Sequence, residues 1–378
     1  MKKLNLVADA VHVLAVARSG AITMKEDEKG FIYPEIEKDK CVDCGLCELT
    51  CPILNKVNRN NQSDSFVAVN KNLVERKESS SGGIFVLLAK KILENNNGVV
   101  YGAGYNDKYE VVHIRIDNDR EIKRLQNSKY VQSSINNIYT TVKEDLDNQK
   151  IVFFTGTPCQ VNGLYSFLRK KYENLITQDF ICHGVPSPKV WRKYLSEKEN
   201  EYKAKITNVN FRDKKYGWND FSMRMTFENN EYNVKHNNDL FENLFLQNLS
   251  LRDSCFNCQF KGINRIADIT LGDCWGIEGI NREYYDNIGT SLVMINTDKG
   301  RKIFEEIQKN IKFEAIDIDK VVKYNSALIK SVNVNEKREE FFKDFNSDKR
   351  ISEIANKYVM KENVLIKILR KIKRRVLW

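Results

Sequence analysis

Residues 150–184 read KIVFFTGTPCQVNGLYSFLRKKYENLITQDFICHG. The apolar run Ile151–Phe154, closed by Gly156 and Pro158, reads as a buried strand and a tight turn, and residues 160–172 read as a helix. LITQDFICHG (175–184) is a second apolar strand, ending at a cysteine. The same grammar extends to both sides. SSSGGIFVLLAKKILENNNGVVYGAGY (79–105) gives a Ser/Gly turn, an apolar helix, an Asn/Gly stop and a strand. Residues 205–213, 221–228, 267–273 and 291–297 read as further strands. Helices and strands alternate first and strands dominate afterwards, which predicts the α+β class: a large α/β unit with a mixed sheet over residues 66–330. Ahead of it lie a small unit over residues 1–57 and a polar linker, NRNNQSDS (58–65). Residues 331–378 form a basic tail that reads as helical from 334, with Ser347 as an expected N-cap.

The 378 residues carry 42% hydrophobic and 30% charged side chains and a formal net charge of +10, an ordinary soluble composition with a basic balance. A basic balance suits an acidic partner, but lysine is scattered along the whole chain. No apolar run reaches the roughly 18–20 residues of a membrane span. MKK followed by an apolar stretch resembles a secretion signal, yet Asp9, His12 and Arg18 interrupt it. Six of the nine cysteines lie in tight C-x2-C and C-x3-C arrays, a metal-site pattern rather than a disulfide framework, so the expected compartment is the reduced cytoplasm. VLIKILRKIKRRVLW (364–378) puts Val364, Leu365, Ile368, Leu369, Ile372 and Val376 on one helical face. Peripheral membrane contact through this helix, with Trp378 at the headgroups, and docking on protein are both open readings.

CVDCGLCELTCP (41–52) is C-x2-C-x2-C-x3-C-P, the ferredoxin run. Three thiolates at this spacing, Cys41, Cys44 and Cys47, wrap one cuboidal 4Fe-4S cluster, and Cys51 serves a neighbouring one. Zinc sites use two separated C-x2-C pairs instead. A shift of 34 positions lays VADAVHVLAVARSGAI (7–22) on this run, with Val7, Ala10, Val13 and Ala17 in the cysteine places. Either residues 7–17 are a small apolar helix, or they are a first motif without ligands. In the second case the cluster at Cys41, Cys44 and Cys47 lacks its fourth thiolate.

Cys159 and Cys182 end strands, and Cys255 and Cys258 form SCFNC. From spacing alone these four suit a second cluster or a zinc ion. Together with GFIYPEI (30–36), SSSGGIF (79–85), NSKYVQS (127–133), TGTPCQVNGL (155–164), ICHGVPSP (181–188), FRDKKYGW (211–218), SCFNCQFK (254–261) and ADITLGDCWGIE (267–278), they give a chain that resembles the coenzyme F420 hydrogenase/dehydrogenase beta-subunit family, iron–sulfur flavoproteins, from about Phe31 to Lys309. ARSGAITM (17–24) keeps the ending of a first ferredoxin motif in the subgroup with a two-motif N-terminal module, which favours the ligand-less reading of residues 7–17.

The resemblance implies Cys159, Cys182, Cys255 and Cys258 as ligands of a 4Fe-4S cluster in the 66–330 unit, giving one or two clusters per chain. It also implies FAD. Ser80, Ser81, Gly82 and Gly83 would present a helix-opening turn to a phosphate, and Ser128 and Lys129 would meet the flavin. His183 and Lys129 are the expected catalytic residues; His183 tunes the cluster by hydrogen bonding, carries a proton to the flavin or is simply a turn residue, and Cys274 is expected to be a buried free thiol. A Rossmann fingerprint is absent from the sequence. The implied activity is an oxidoreductase that passes single electrons from a ferredoxin-like donor through clusters to FAD and on to a small two-electron acceptor, or the reverse. A zinc-stabilised basic nucleic-acid-binding protein and a non-catalytic electron-transfer subunit are the rival readings. The ferredoxin spacing and the lack of a nucleic-acid-binding motif oppose the first, so no nucleic acid is expected as a partner.

Overall fold

The computed structural model describes residues 20–55 and 63–360. The apolar stretch 7–17 and the helix expected at 364–378 lie outside the described residues. Two strands, β1 (Ile22–Glu26) and β2 (Ile32–Ile36), form an antiparallel hairpin. A loop carrying Cys41 and Cys44 follows, then one turn of helix, Leu46–Leu49. Asp43 (φ 48°) and Gly45 (φ 67°) turn this loop through left-handed conformations, the second suited to glycine.

An eight-stranded mixed sheet forms the larger body. Its strands are β3 (Asp64–Asn70), β4 (Gly98–Tyr105), β5 (Val111–Ile116), β6 (Ile151–Thr155), β7 (Leu175–Phe180), β11 (Ile269–Asp273), β12 (Ser291–Ile295) and β13 (Ile311–Ala315). Their spatial order is β13-β3-β12-β11-β7-β6-β4-β5. The central four, β4, β6, β7 and β11, run parallel. Antiparallel β5 closes one side, and β12, β3 and β13 extend the other. Val152, Phe153 and Phe154 of β6 are fully buried, as expected of a parallel strand covered on both faces. The expected α+β class with a mixed sheet holds.

The turn after β6 has an identifiable cause. Thr157 accepts from the Gln160 backbone N–H at 3.3 Å, while the Gln160 side chain accepts from the Thr157 N–H at 2.9 Å. This capping box, with Pro158 at the first helical position, starts the helix Pro158–Leu168 immediately after the strand. Cys159 therefore sits in the first turn of that helix, with its Sγ 3.0 Å from the Thr157 hydroxyl.

A second, three-stranded antiparallel sheet contains β8 (Ile206–Asp213), β9 (Ser222–Phe227) and β10 (Glu231–Lys235). It shares a core with the helices Pro188–Tyr202, Leu240–Leu246, Arg338–Phe345 and Ile351–Tyr358. Phe31, between β1 and β2, is fully buried in the same core. Ser187 donates to the Lys29 carbonyl at 2.6 Å, and Arg192 pairs with Glu26 at 2.6 Å. The hairpin is thereby fixed to the larger body. The described part of the C-terminal region forms the helices Arg338–Phe345 and Ile351–Tyr358, with one difference from the expected capping. Ser347 does not cap the last helix, which starts at Ile351. Its hydroxyl instead donates to the Asp344 carbonyl at 2.5 Å, closing the preceding helix, because three residues separate it from the next helical turn. Among the described residues no helix is long and apolar enough to cross a membrane.

Candidate functional site

The four parallel strands end at one edge of the sheet, where open α/β sheets bind ligands. A cavity of about 430 Å³ lies there, within the usual range for small-molecule sites. Thr155 and Thr157 reach it at and just beyond the end of β6, Phe180 and Cys182 at and beyond the end of β7, and Asp273 and Trp275 at and beyond the end of β11. The Ser/Gly loop contributes Ser80, Ser81 and Gly83, and the 126–133 segment contributes Ser128 and Lys129. Gly82 does not face the cavity. It is wedged against β3 and β12, where an added Cβ would lie 2.5 Å from the Ala68 carbonyl and 2.8 Å from the Ser291 nitrogen. Gly82→Ala should therefore cost about 1–3 kcal/mol through forced repacking, seen as a lowered Tm in thermal denaturation.

The two serine hydroxyls expected at a phosphate are engaged with the protein. Ser81 donates to the Thr290 carbonyl at 2.9 Å, and Ser80 Oγ accepts from the Ser128 N–H at 2.7 Å. The latter bond joins the two expected flavin-contacting segments. The Lys129 ammonium donates to the carbonyls of Gln126 (2.9 Å) and Asn127 (3.3 Å) and has no carboxylate ion-pair partner among the described residues. Burial lowers its pKa to about 7, so an anion in the cavity would restore its charge.

Several side chains that sequence reasoning did not single out complete the walls. Arg212, from the end of β8, is almost fully buried. It donates to Asp273 Oδ2 at 2.9 Å, to the Tyr130 hydroxyl at 3.0 Å and to the Ser80 carbonyl at 3.3 Å. Its guanidinium lies between the rings of Phe221 (4.2 Å) and Trp275 (5.3 Å). Trp275 stacks on Trp218 with ring centroids 4.5 Å apart, and the Trp218 N–H also donates to Asp273. His113 bridges Ser133 (2.5 Å) and the Thr155 carbonyl (3.1 Å). A carbonyl only accepts, so Nε2 carries the proton and Nδ1 accepts from Ser133; burial lowers the pKa to about 4 and keeps the ring neutral. Two buried wall atoms, Gln178 Oε1 and Arg212 Nε, have no hydrogen-bond partner among the described residues. One accepts and one donates, so a ligand with both kinds of edge, as a flavin ring has, fits this wall.

A second cavity, of about 90 Å³, is lined by Cys159, Cys182, Cys255 and Cys258. The structure thus brings together the four cysteines expected as one ligand set: Cys159 from the first turn of the helix after β6, Cys182 from just beyond β7, and Cys255 and Cys258 from the short turn at 253–257 and its C-cap. Cys182, His183, Gly184 and Val185 line both cavities and form the wall between them. Burial pushes the Cys182 thiol up to about 12 and the Cys255 thiol up to about 11. Both hold their protons at neutral pH until a metal displaces them. The charged groups of this cavity are Asp253, Lys261 and Arg265. A cluster held by thiolates, net negative, suits a cavity with two cations.

His183 lies between the cavities, with Nε2 2.7 Å from Asn248 Oδ1. The Asn248 amide donates to the Asn333 carbonyl at 3.0 Å, so its oxygen accepts and His183 Nε2 carries the proton. Burial lowers the pKa of this ring, which favours the neutral form. Cys274 is fully buried and lines neither cavity, as expected of a free thiol.

Cys51 is fully buried and packs with Ile22, and partly buried Cys47, Ile36 and Ile53 pack on that pair. Cys41 and Cys47 are half-buried and Cys44 is exposed. Ile53, two residues beyond Cys51, lines the four-cysteine cavity, so the two cysteine groups are neighbours. Among the described residues no three His, Cys, Asp or Glu side chains close around a single metal ion.

Residues 149–321 match the family model for the C terminus of the coenzyme F420 hydrogenase/dehydrogenase beta subunit. This segment belongs to that family. The match spans β6, β7, β11 and β12, all four cavity cysteines and Arg212. Both activities in the family's description are oxidoreductase chemistry. Among solved structures, a chain of the F420-reducing [NiFe] hydrogenase complex from Methanosarcina barkeri is similar at 15% identity and a TM-score of 0.48. That likeness covers 71% of this chain and 93% of the other. A comparison with curated proteins gave no match.

Proposed function

We propose that the chain is an iron–sulfur flavoprotein that exchanges electrons between a ferredoxin-like donor and a small two-electron acceptor, in either direction. One observation carries the reading: the four-thiol cavity and the 430 Å³ cavity share the wall Cys182–Val185. A one-electron centre and a two-electron centre need such adjacency. Cys159, Cys182, Cys255 and Cys258 would hold a 4Fe-4S cluster; Ser80, Ser81, Gly83, Ser128 and Lys129 would line the FAD site. When bound, the cluster supplies single-electron transfer and the flavin converts between single electrons and pairs.

The chain's own groups then have definite tasks. Lys129 places positive charge at the cavity wall, where negative charge on a bound ring or phosphate gains most. Arg212, held by Asp273, keeps the Ser80 loop against β11. His113, neutral and doubly hydrogen-bonded, is a fixed wall rather than a proton carrier. His183 Nδ1 has no hydrogen bond to the described residues, and can accept a proton between the two cavities. Cys41, Cys44, Cys47 and Cys51 extend the route toward the surface if a cluster assembles there, since Ile53 joins their segment to the inner cavity. Coenzyme F420 is the acceptor the family description suggests; peripheral membrane contact rests on residues 364–378 alone.

Anaerobic purification followed by iron, sulfide, zinc and flavin analysis tests the reading. About one flavin and between four and eight irons per chain are expected, the lower figure meaning a single cluster in the inner cavity. Stoichiometric zinc without flavin would overturn it. Cys258→Ser should remove roughly four irons. Unchanged iron would reject the ligand assignment.

A further inference from the structure

We propose that Lys261 is a positioning residue that sets the reduction potential of the centre held by Cys159, Cys182, Cys255 and Cys258. The inference rests on the functional reading above and adds a named determinant of driving force to it.

The charges around the four-thiol cavity are unequally compensated. Asp253 pairs with Arg338 at 2.7 Å and with Lys29 at 3.5 Å. Arg265, almost fully buried, shares its charge with the buried Asp179 at 3.5 Å. Lys261 alone among the charged lining residues has no carboxylate within ion-pair distance among the described residues. Its ammonium instead donates to two backbone carbonyls, that of the ligand residue Cys182 and that of Ala327 at 2.9 Å. The bond to Cys182 fixes the charge beside a ligand's main chain rather than on a free side-chain tether. A second consequence is geometric: Ala327 lines the larger cavity, so this one ammonium ties a cluster ligand to the wall of the flavin site.

A thiolate-bound cluster becomes more negative by one charge on reduction. At a partly buried site, an uncompensated cation stabilises that extra charge more than it would in bulk water. Lys261 therefore favours the reduced state, whereas Arg265, already neutralised by Asp179, contributes less.

The test is a potentiometric titration of the anaerobically loaded full chain, followed by EPR, with iron and sulfide counted in every sample. Lys261→Gln should disfavour reduction at least about tenfold, a shift of about 59 mV to more negative potential for one electron. Lys261→Arg keeps the charge and should stay near the wild-type potential. Asp179→Asn releases the charge of Arg265 and should move the potential in the opposite direction. It also decides the matter if Lys261→Gln fails to retain the cluster. A loaded Lys261→Gln protein with an unchanged potential would overturn the inference, as would an Asp179→Asn protein that does not move. A wild-type protein without iron and sulfide would overturn the functional reading instead.

Discussion

Arg212→Met should lower the folded chain's stability by about 3–5 kcal/mol, the usual consequence of removing one partner from a buried ion pair. Arg212 is 3% exposed and is the only cation paired with Asp273 among the described residues. Without it, the Asp273 carboxylate keeps the Trp218 indole N–H at 3.0 Å and no ion-paired cation among the described residues. The methionine side chain would still fill space between Phe221 and Trp275, which separates the electrostatic loss from a cavity effect. Urea denaturation of the single variant and of Arg212→Met/Asp273→Asn makes the distinction. The double variant removes the stranded charge and should recover a large part of the loss. If the two are equally unstable, packing rather than charge carries the penalty. Flavin content should fall in both, because Arg212 also holds the Ser80 carbonyl at the cavity wall.

Arg212 also marks where the sequence stops being informative. The strand, turn and helix at 150–172 follow from local pattern: an apolar run, a Gly/Pro turn and a helical stretch. The strand ends at Cys159 and Cys182 follow in the same way. The mixed sheet follows from the alternation of elements, since helices between strands permit parallel neighbours. What local pattern cannot supply is the partner across the fold. Arg212 and Asp273 are 61 positions apart and lie in different sheets. FRDKKYGW stands out as a motif, yet nothing in its spacing says that its arginine crosses to the end of β11. His113 is invisible for a related reason: it lies in an ordinary strand, and only the packing of β5 against residues 133–134 turns it toward the cavity. Gly82 is legible as part of a turn but not as a contact with β3, because the close approach depends on two strands that are distant in sequence.

Glu242→Gln should stabilise the protein increasingly as pH rises above about 5. Both carboxyl oxygens of Glu242 are buried and without a hydrogen-bond partner among the described residues. Burial, reinforced by Asp239 at the N-cap of the same helix and opposed by Arg212 of β8, holds its pKa well above the ordinary value of 4.5. Tyr105 of β4 and Tyr130 also face it, and neither supplies a positive charge. An acid with a raised folded pKa loses its proton first in the unfolded chain. Its contribution to stability is therefore complete below about pH 4.5 and is lost as pH climbs toward the folded value. The loss has a slope of about 1.4 kcal/mol per pH unit in that window. Glutamine does not titrate, so denaturation at pH 5, 6, 7 and 8 should show the two proteins diverging upward from near equality. Parallel curves would mean that Glu242 is charged in the folded state and that a partner compensates it. The effect reaches the site, because Glu242 lies on the helix Leu240–Leu246 one turn before Phe245 and Leu246, which line the larger cavity. Phe245 stacks on Tyr130, the acceptor of Arg212, and meets His183 edge-on at 5.0 Å. A neutral Glu242 leaves the positive field of Arg212 directed at Asp273 and the cavity; an ionised one would divide it.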